Sequence, residues 1–170
     1  MPVSLIPLTA AVSGTLPLAN GGTATTGAPA FNAYRGSSNQ SVSTGTWTKA
    51  QLNTKDFDTA NCFDSTTNYR FTPNVAGYYQ INGSITPDSG VSFGTGVYVA
   101  IYKNGNSYRV GSVNNTSAGT ASIPCISAVI YLNGSTDYVE LYAYFAGGSS
   151  MVIATTYSSS SLSGCLVRSA

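Results

Sequence analysis

The sequence predicts an all-β protein, a sandwich of short antiparallel strands, and three observations point there. From residue 30 onward, runs of β-branched and aromatic residues recur at spacings of about 8–12 residues, separated by Gly, Asn, Ser and Pro clusters. Asn104-Gly105 and Asn133-Gly134 each follow such a run, and Asn-Gly favours a tight hairpin turn in which both central residues take positive φ. No window supports a good helix.

The strands can be taken in order. Residues 77–85 place Tyr79, Ile81 and Ile85 on one side and Tyr78, Gln80, Asn82 and Ser84 on the other. Residues 97–103 turn Val97, Val99 and Ile101 inward, and after Asn104-Gly105 residues 107–110 pair back. Residues 123–132 form a long, mostly apolar run that turns at Asn133-Gly134 into the clearest strand, 138–145. There Val139, Leu141, Ala143 and Phe145 alternate with Tyr138, Glu140, Tyr142 and Tyr144, so one face is apolar and the other tyrosine-rich. Such an outer face suits contact with a partner chain, because Tyr offers an apolar body with a polar tip. Met151, Val152 and Ile153 suggest an extra strand, and residues 162–168 close the chain. Residues 86–96, 114–119 and 146–161 read as surface loops, where binding residues concentrate.

Composition divides the chain in two. Residues 1–29 hold no charged side chain, and Leu5, Ile6, Leu8, Leu16 and Leu18 are dotted among Gly, Thr, Ala and Pro without a helix or strand period. Such a segment does not fold alone. It is expected to be an extended attachment arm that needs another protein's surface, a plain linker being the alternative. Residues 30–170 are the sandwich domain.

Charge is scarce throughout. Seven Lys and Arg and six Asp and Glu make 8% of the chain, where soluble proteins average about 25%. This suits surfaces buried in an assembly, or neutral polar surfaces that meet sugars. The scattered cations and net charge of +1 give no reason to expect nucleic acid. No run approaches the ~18 apolar residues of a membrane span, so no membrane insertion is expected. The apolar opening lacks the basic start of a secretion signal and is broken by Pro2 and Pro7. Three cysteines without CxxC spacing support neither a disulfide framework nor a zinc site.

Several motifs resemble the C1q-like domain family: Phe57-Asp58, then Tyr69-Arg70-Phe71-Thr72-Pro73, then Val75-Ala76-Gly77-Tyr78-Tyr79-Gln80-Ile81, then Ile101-Tyr102-Lys103-Asn104-Gly105, and finally Ser161-Leu162-Ser163-Gly164-Cys165-Leu166. The resemblance implies a C1q/TNF-like jelly-roll β-sandwich that forms a tight homotrimer, with aromatic residues near the threefold axis. Tyr78, Tyr98, Tyr142 and Tyr144 are the expected trimer-interface residues. Glycine at 77 and 164 implies a close approach of another backbone or side chain. In the arm, residues 12–23 (VSGTLPLANGGT) resemble the G-T-L-P-V-A-N-G-G-T-G segment of phage tail fibres, with Leu18 in place of Val and Ala24 in place of the last Gly.

Histidine is absent, which removes Ser-His, Cys-His and His-metal chemistry. Six carboxylates remain, and a glycosidase-type pair is formally possible among Asp56, Asp58 and Asp64, yet these read more simply as turn and ion-pair residues. The resemblance also offers calcium, for which these carboxylates lack the oxygen count and spacing. The expectation is a non-enzymatic virion protein without cofactor, made in the host cytoplasm. It would be a trimeric tail-fibre or baseplate-tip protein, joined to other virion proteins through residues 1–29. Its loops would contact the host surface, with Asn114, Asn115 and Tyr157 as candidate residues toward a host glycan. The alternatives are a capsid decoration trimer on the phage head and a soluble lectin-like or cytokine-like binding module.

Overall fold

A computed structural model describes residues 28–87, 96–114, 122–147, 151–155 and 160–170. Among these there is no helix, and thirteen strands follow in chain order. They are β1 (Ala30–Tyr34), β2 (Gln40–Val42), β3 (Thr48–Lys49), β4 (Thr54–Asp58), β5 (Phe63–Asp64), β6 (Arg70–Phe71), β7 (Gly77–Ser84), β8 (Gly96–Lys103), β9 (Asn106–Asn114), β10 (Cys125–Leu132), β11 (Val139–Ala146), β12 (Met151–Ile153) and β13 (Ser161–Ser169). One sheet has the order β10-β7-β13-β1-β4; the other runs β5-β6-β11-β8-β9, with β3 also on β11; β12 and β2 form a small third pair.

Alternation along each strand sends one set of side chains between the two sheets. Phe31 and Ala33 of β1, Tyr79 and Ile81 of β7, Val97, Val99 and Ile101 of β8, and Val139, Leu141, Ala143 and Phe145 of β11 are fully buried there. At one end of this core Phe71 stacks on Phe31 at 4.2 Å and meets Tyr79 edge-on at 5.5 Å. The Tyr79 hydroxyl donates to the Val75 carbonyl oxygen at 2.7 Å, so its polar tip is satisfied inside. Asn104 and Gly105 hold φ of 52° and 78°, as their turn requires.

The pairing differs from the sequence expectation in two places. β9 continues to Asn114, four residues beyond the predicted return strand, and pairs with β8 along its whole length. Asp56 and Asp58, expected in a turn, lie in β4, which pairs with β1. As an edge strand β4 tolerates charge, because one flank faces solvent and Lys55 neutralises Asp58 at 3.2 Å.

Antiparallel pairing also sorts the connections to two poles. Leu166 N–H donates to Pro29 O at 3.0 Å and Ala170 N–H to Ala76 O at 3.0 Å, so the start of β1 and the chain's last residue lie toward the same pole. The 104–105 and 133–137 turns share that pole, joined by Asn104 Nδ2 donating to Asp137 Oδ1 at 2.7 Å. The opposite pole collects the strand ends Tyr34, Ser84, Gly96, Asn114, Cys125, Ala146 and Ser161, as the register pairs Ser84 with both Cys125 and Ser161 and Gly96 with both Asn114 and Ala146.

Candidate functional site

Each large sheet presents its second face outward, and the two faces differ in chemistry. On the five-stranded sheet, Tyr78 and Tyr131 lie opposite each other with ring centroids 5.5 Å apart, flanked by Val129 and the bulge residue Val167. These four are 42–58% exposed, large for apolar side chains so close together. The middle of this face is polar but self-satisfied. Gln80 Nε2 donates to Ser127 Oγ at 2.7 Å and to Asn82 Oδ1 at 3.1 Å, and the Ser84 and Ser161 hydroxyls pair at 3.2 Å. A shallow hollow of about 360 Å³ between Ser84, Ser127, Ser161 and Ser163 is rimmed by Cys125. Charge appears at the pole, where Arg168 faces Tyr78 and Lys103 Nζ donates to Tyr131 O at 2.7 Å, and at Asp56 on the β4 edge.

The six-stranded sheet turns an aromatic band outward. Tyr102 and Tyr142 stack at 3.9 Å, Tyr98 and Tyr144 meet edge-on at 5.5 Å, and Trp47 stands 5.4 Å from Tyr144 and 6.1 Å from Tyr102. The rings roof Ala100, which is wholly buried although it lies on the outer face. Beneath the band Glu140, 3% exposed, is ion-paired with Lys49. Burial, with the Glu140 charge second, pushes the Tyr142 phenol up to about 12, and burial raises Tyr102 as well, so this stacked pair stays neutral at ordinary pH.

Past Tyr142 the band reaches Tyr138, over whose ring Arg70 lies with its guanidinium carbon 4.2 Å from the centroid. Next to it opens a cleft of about 530 Å³ between the edges of the two sheets, lined by Lys55, Asn61, Ser65, Asn68, Arg70 and Thr72 among others. The carboxylates here are engaged by their own loop. Asp58 accepts the Cys62 and Phe63 N–H groups, both at 2.9 Å. Asp64 accepts the Thr66, Thr67 and Asn68 N–H groups, the Thr66 hydroxyl and the Asn68 amide, and the Thr67 and Thr66 N–H groups above all hold it well below the usual carboxylate range. Asp56 accepts from Asn32 Nδ2 at 2.6 Å. Among the described residues no group of three or more His, Cys, Asp or Glu is placed to hold a metal ion.

The four tyrosines expected at one interface are divided. Tyr78 faces outward from the five-stranded sheet, while Tyr98, Tyr142 and Tyr144 face outward from the other, on the opposite side of the sandwich. Alternation within a strand tells inward from outward; it cannot tell which sheet a strand joins. Leu5, Ile6, Leu8, Leu16, Leu18, Asn115 and Tyr157 lie outside the described residues, and Asn114 ends β9 at the pole away from Pro29. Sequence reasoning missed Trp47, Tyr131 and Arg70 as surface features. Trp47 sits in a short Gly/Thr segment with no strand period, although a lone Trp there was itself a signal.

No protein-family model and no curated protein matches this sequence. Solved structures do match. The globular domain of zebrafish complement 1qA superposes with a TM-score of 0.62 at 17% identity, covering 84% of this chain and 99% of that one. Eiger TNF from S. frugiperda gives 0.63 at 10% identity, over 84% and 94% of the two chains. The PRD1 vertex protein P5 gives 0.60 at 16% identity, over 83% and 74%. The fold is a C1q/TNF-like jelly roll. In this C1q/TNF-like frame the two motif glycines fall on one ladder: Gly77 of β7 faces Ser169 of β13, and Gly164 of β13 faces Ile81 of β7.

Proposed function

We propose that this C1q/TNF-like domain is a non-enzymatic structural and attachment protein of a virion. It works as a homotrimer, grips other virion proteins through residues 1–29 and presents its far side to the host surface, in the manner of a tail-fibre or baseplate-tip protein. The observation that carries the reading is the outer face of the five-stranded sheet. Four exposed apolar side chains lie beside hydrogen bonds that already satisfy one another, so covering this part of the face removes apolar area from water without stranding those polar groups. In a cyclic trimer each copy applies two different patches, so this face would meet another part of its neighbour. The opposite poles support the division of labour: Pro29, where the arm joins, is at one, and the strand ends flanking residues 88–95, 115–121 and 148–150 are at the other. The vertex protein among the fold neighbours favours a second reading, a trimer seated on the capsid shell.

Light scattering on the full chain is expected to give three copies, and Val129→Glu, which buries a carboxylate against apolar neighbours, to give monomers. A wild-type monomer, or a Val129→Glu trimer, would remove the proposed interface. Copy number separates the two placements: a handful per particle for a fibre, hundreds for a decoration protein.

A further inference from the structure

The six-stranded face offers chemistry that the trimer does not use. Arg70 of β6 stands directly opposite Asp64 of β5, but the two form no ion pair, because both Asp64 oxygens are filled by donors of its own loop. Spread on the Tyr138 ring, the Arg70 guanidinium makes no hydrogen bond among the described residues, although it is only half exposed. A planar fork of N–H donors held in place on a ring is the group best matched to a carboxylate, which it takes through two parallel bonds. The other cation of the cleft, Lys55, is committed to Asp58 and to the Phe63 carbonyl oxygen at 3.3 Å. Formal charge in the cleft therefore cancels, while the unmet donors belong to Arg70.

Around that fork the lining suits hydroxyl groups. The side chains of Asn61, Ser65 and Thr72 make no hydrogen bond among the described residues, and the volume of about 530 Å³ falls within the roughly 300–1,000 Å³ of small-ligand clefts. The Cys62 thiol, pushed up by burial, adds no charge. The cleft is also continuous with the aromatic band. Lys49 Nζ donates to the carbonyl oxygen of Asn68, in the cleft wall, at 3.3 Å, and Lys49 sits opposite Tyr142, which stacks on Tyr102 beside Trp47. Neutral rings leading to a half-exposed fork of donors make a linear site, longer than one sugar.

We infer that this outer face binds an acidic oligosaccharide, with sugar rings lying on the Trp47-to-Tyr142 band and one carboxylate held by Arg70 at the cleft. The inference goes beyond the attachment reading above, because Arg70 and Tyr138 stand beside the turns of the arm's pole and not among the distal strand ends, and it names the ligand class of this lateral face. Its test uses isolated full-length protein, so its failure leaves the trimer and virion tests standing.

The experiment is binding to an array of uronate- and sialate-bearing oligosaccharides beside their carboxyl-reduced counterparts, followed by titration of the best ligand, with inorganic phosphate as competitor. At least one acidic oligosaccharide should bind, and its reduced form should bind about tenfold more weakly or less, the value of a charge-assisted pair. Arg70→Gln should lose a similar factor with an unchanged melting temperature, and Arg70→Lys should fall between. Ser65→Tyr should block the cleft, and Trp47→Ala should weaken acidic and reduced forms alike. Absence of binding across the array, equal binding of reduced forms, unaltered binding by Arg70→Gln, or phosphate competing as well as the saccharide would overturn the inference. So would loss of the oligomer in Trp47→Ala, which would make this face a protein interface.

Discussion

Gly77 and Gly83 lie on the same strand and the same inward side of β7, yet they should respond very differently to a single added methyl group. A Cβ at Gly77 would stand 2.4 Å from the Arg168 carbonyl oxygen, 2.7 Å from Leu166 Cδ1 and 3.0 Å from Ser169 Cα. Carbon–oxygen contacts between strands ordinarily lie at about 3.3–3.6 Å, so β13 would have to retreat by about 1 Å while its backbone stays paired with β7. Overpacking of this kind costs about 1–3 kcal/mol, and a backbone obstacle puts Gly77→Ala at about 2–3 kcal/mol within that range. At Gly83 the nearest atom is Leu141 Cδ1 at 2.5 Å, the end of a side chain, and the next contacts are ordinary at 3.4 Å. A rotamer adjustment of about 0.5–1.5 kcal/mol is offset by the roughly 0.4–1 kcal/mol that Ala withdraws from the unfolded chain. Gly83→Ala should therefore change stability by about 1 kcal/mol or less. At about 2–4 °C per kcal/mol for a chain of this size, thermal unfolding should show a loss of roughly 4–12 °C for Gly77→Ala and no more than about 4 °C for Gly83→Ala. Both proteins must be compared at one concentration, since association itself shifts the midpoint. Equal losses, or an unchanged midpoint for Gly77→Ala, would refute the contact argument.

Two further outcomes follow from the charge and thiol placements. Asp64 and Asp137 both have depressed folded-state values, Asp64 through the Thr67 and Thr66 N–H groups and Asp137 first through the Asn104 side chain. Their stabilisation is thus present above the unfolded value of about 4 and is lost as pH falls below it. Urea midpoints should drop between pH 5 and pH 2, and the gap between wild type and Asp64→Asn should narrow over the same range; a constant gap would contradict this. Cys125 and Cys165 are exposed on the five-stranded face. A thiol reagent should label them slowly in the native oligomer and quickly after dissociation, and fast labelling of both in the oligomer would put the interface elsewhere.

Long strands were legible in the sequence because each spans three or more inward–outward alternations. β7, β8 and β11 show their buried sets, Tyr79 and Ile81, Val97 to Ile101, and Val139 to Phe145, in the order the alternation predicts. β3, β5 and β6 are two residues each, too short for any period, and they exist because longer neighbours supply their hydrogen-bond partners. β1 is five residues with Phe31 and Ala33 as its only inward side chains, and its place between β13 and β4 depends on contacts twenty or more residues away. The surfaces were half legible. Tyrosines on outward positions could be recognised, but their division between two faces depends on sheet order, and the Arg70 site depends on Asp64 closing on its own loop.

The position of β1 also has a mechanical consequence. It enters the sandwich at Pro29 and lies between two antiparallel partners, β13 over five residue pairs and β4 over four. A pull on residue 29, resisted at the opposite pole, acts along the strand axis. The ladder bonds on both flanks are then loaded together in shear, instead of being peeled open one after another. A domain tethered this way resists tension best along the line that joins its anchor to its distal loops.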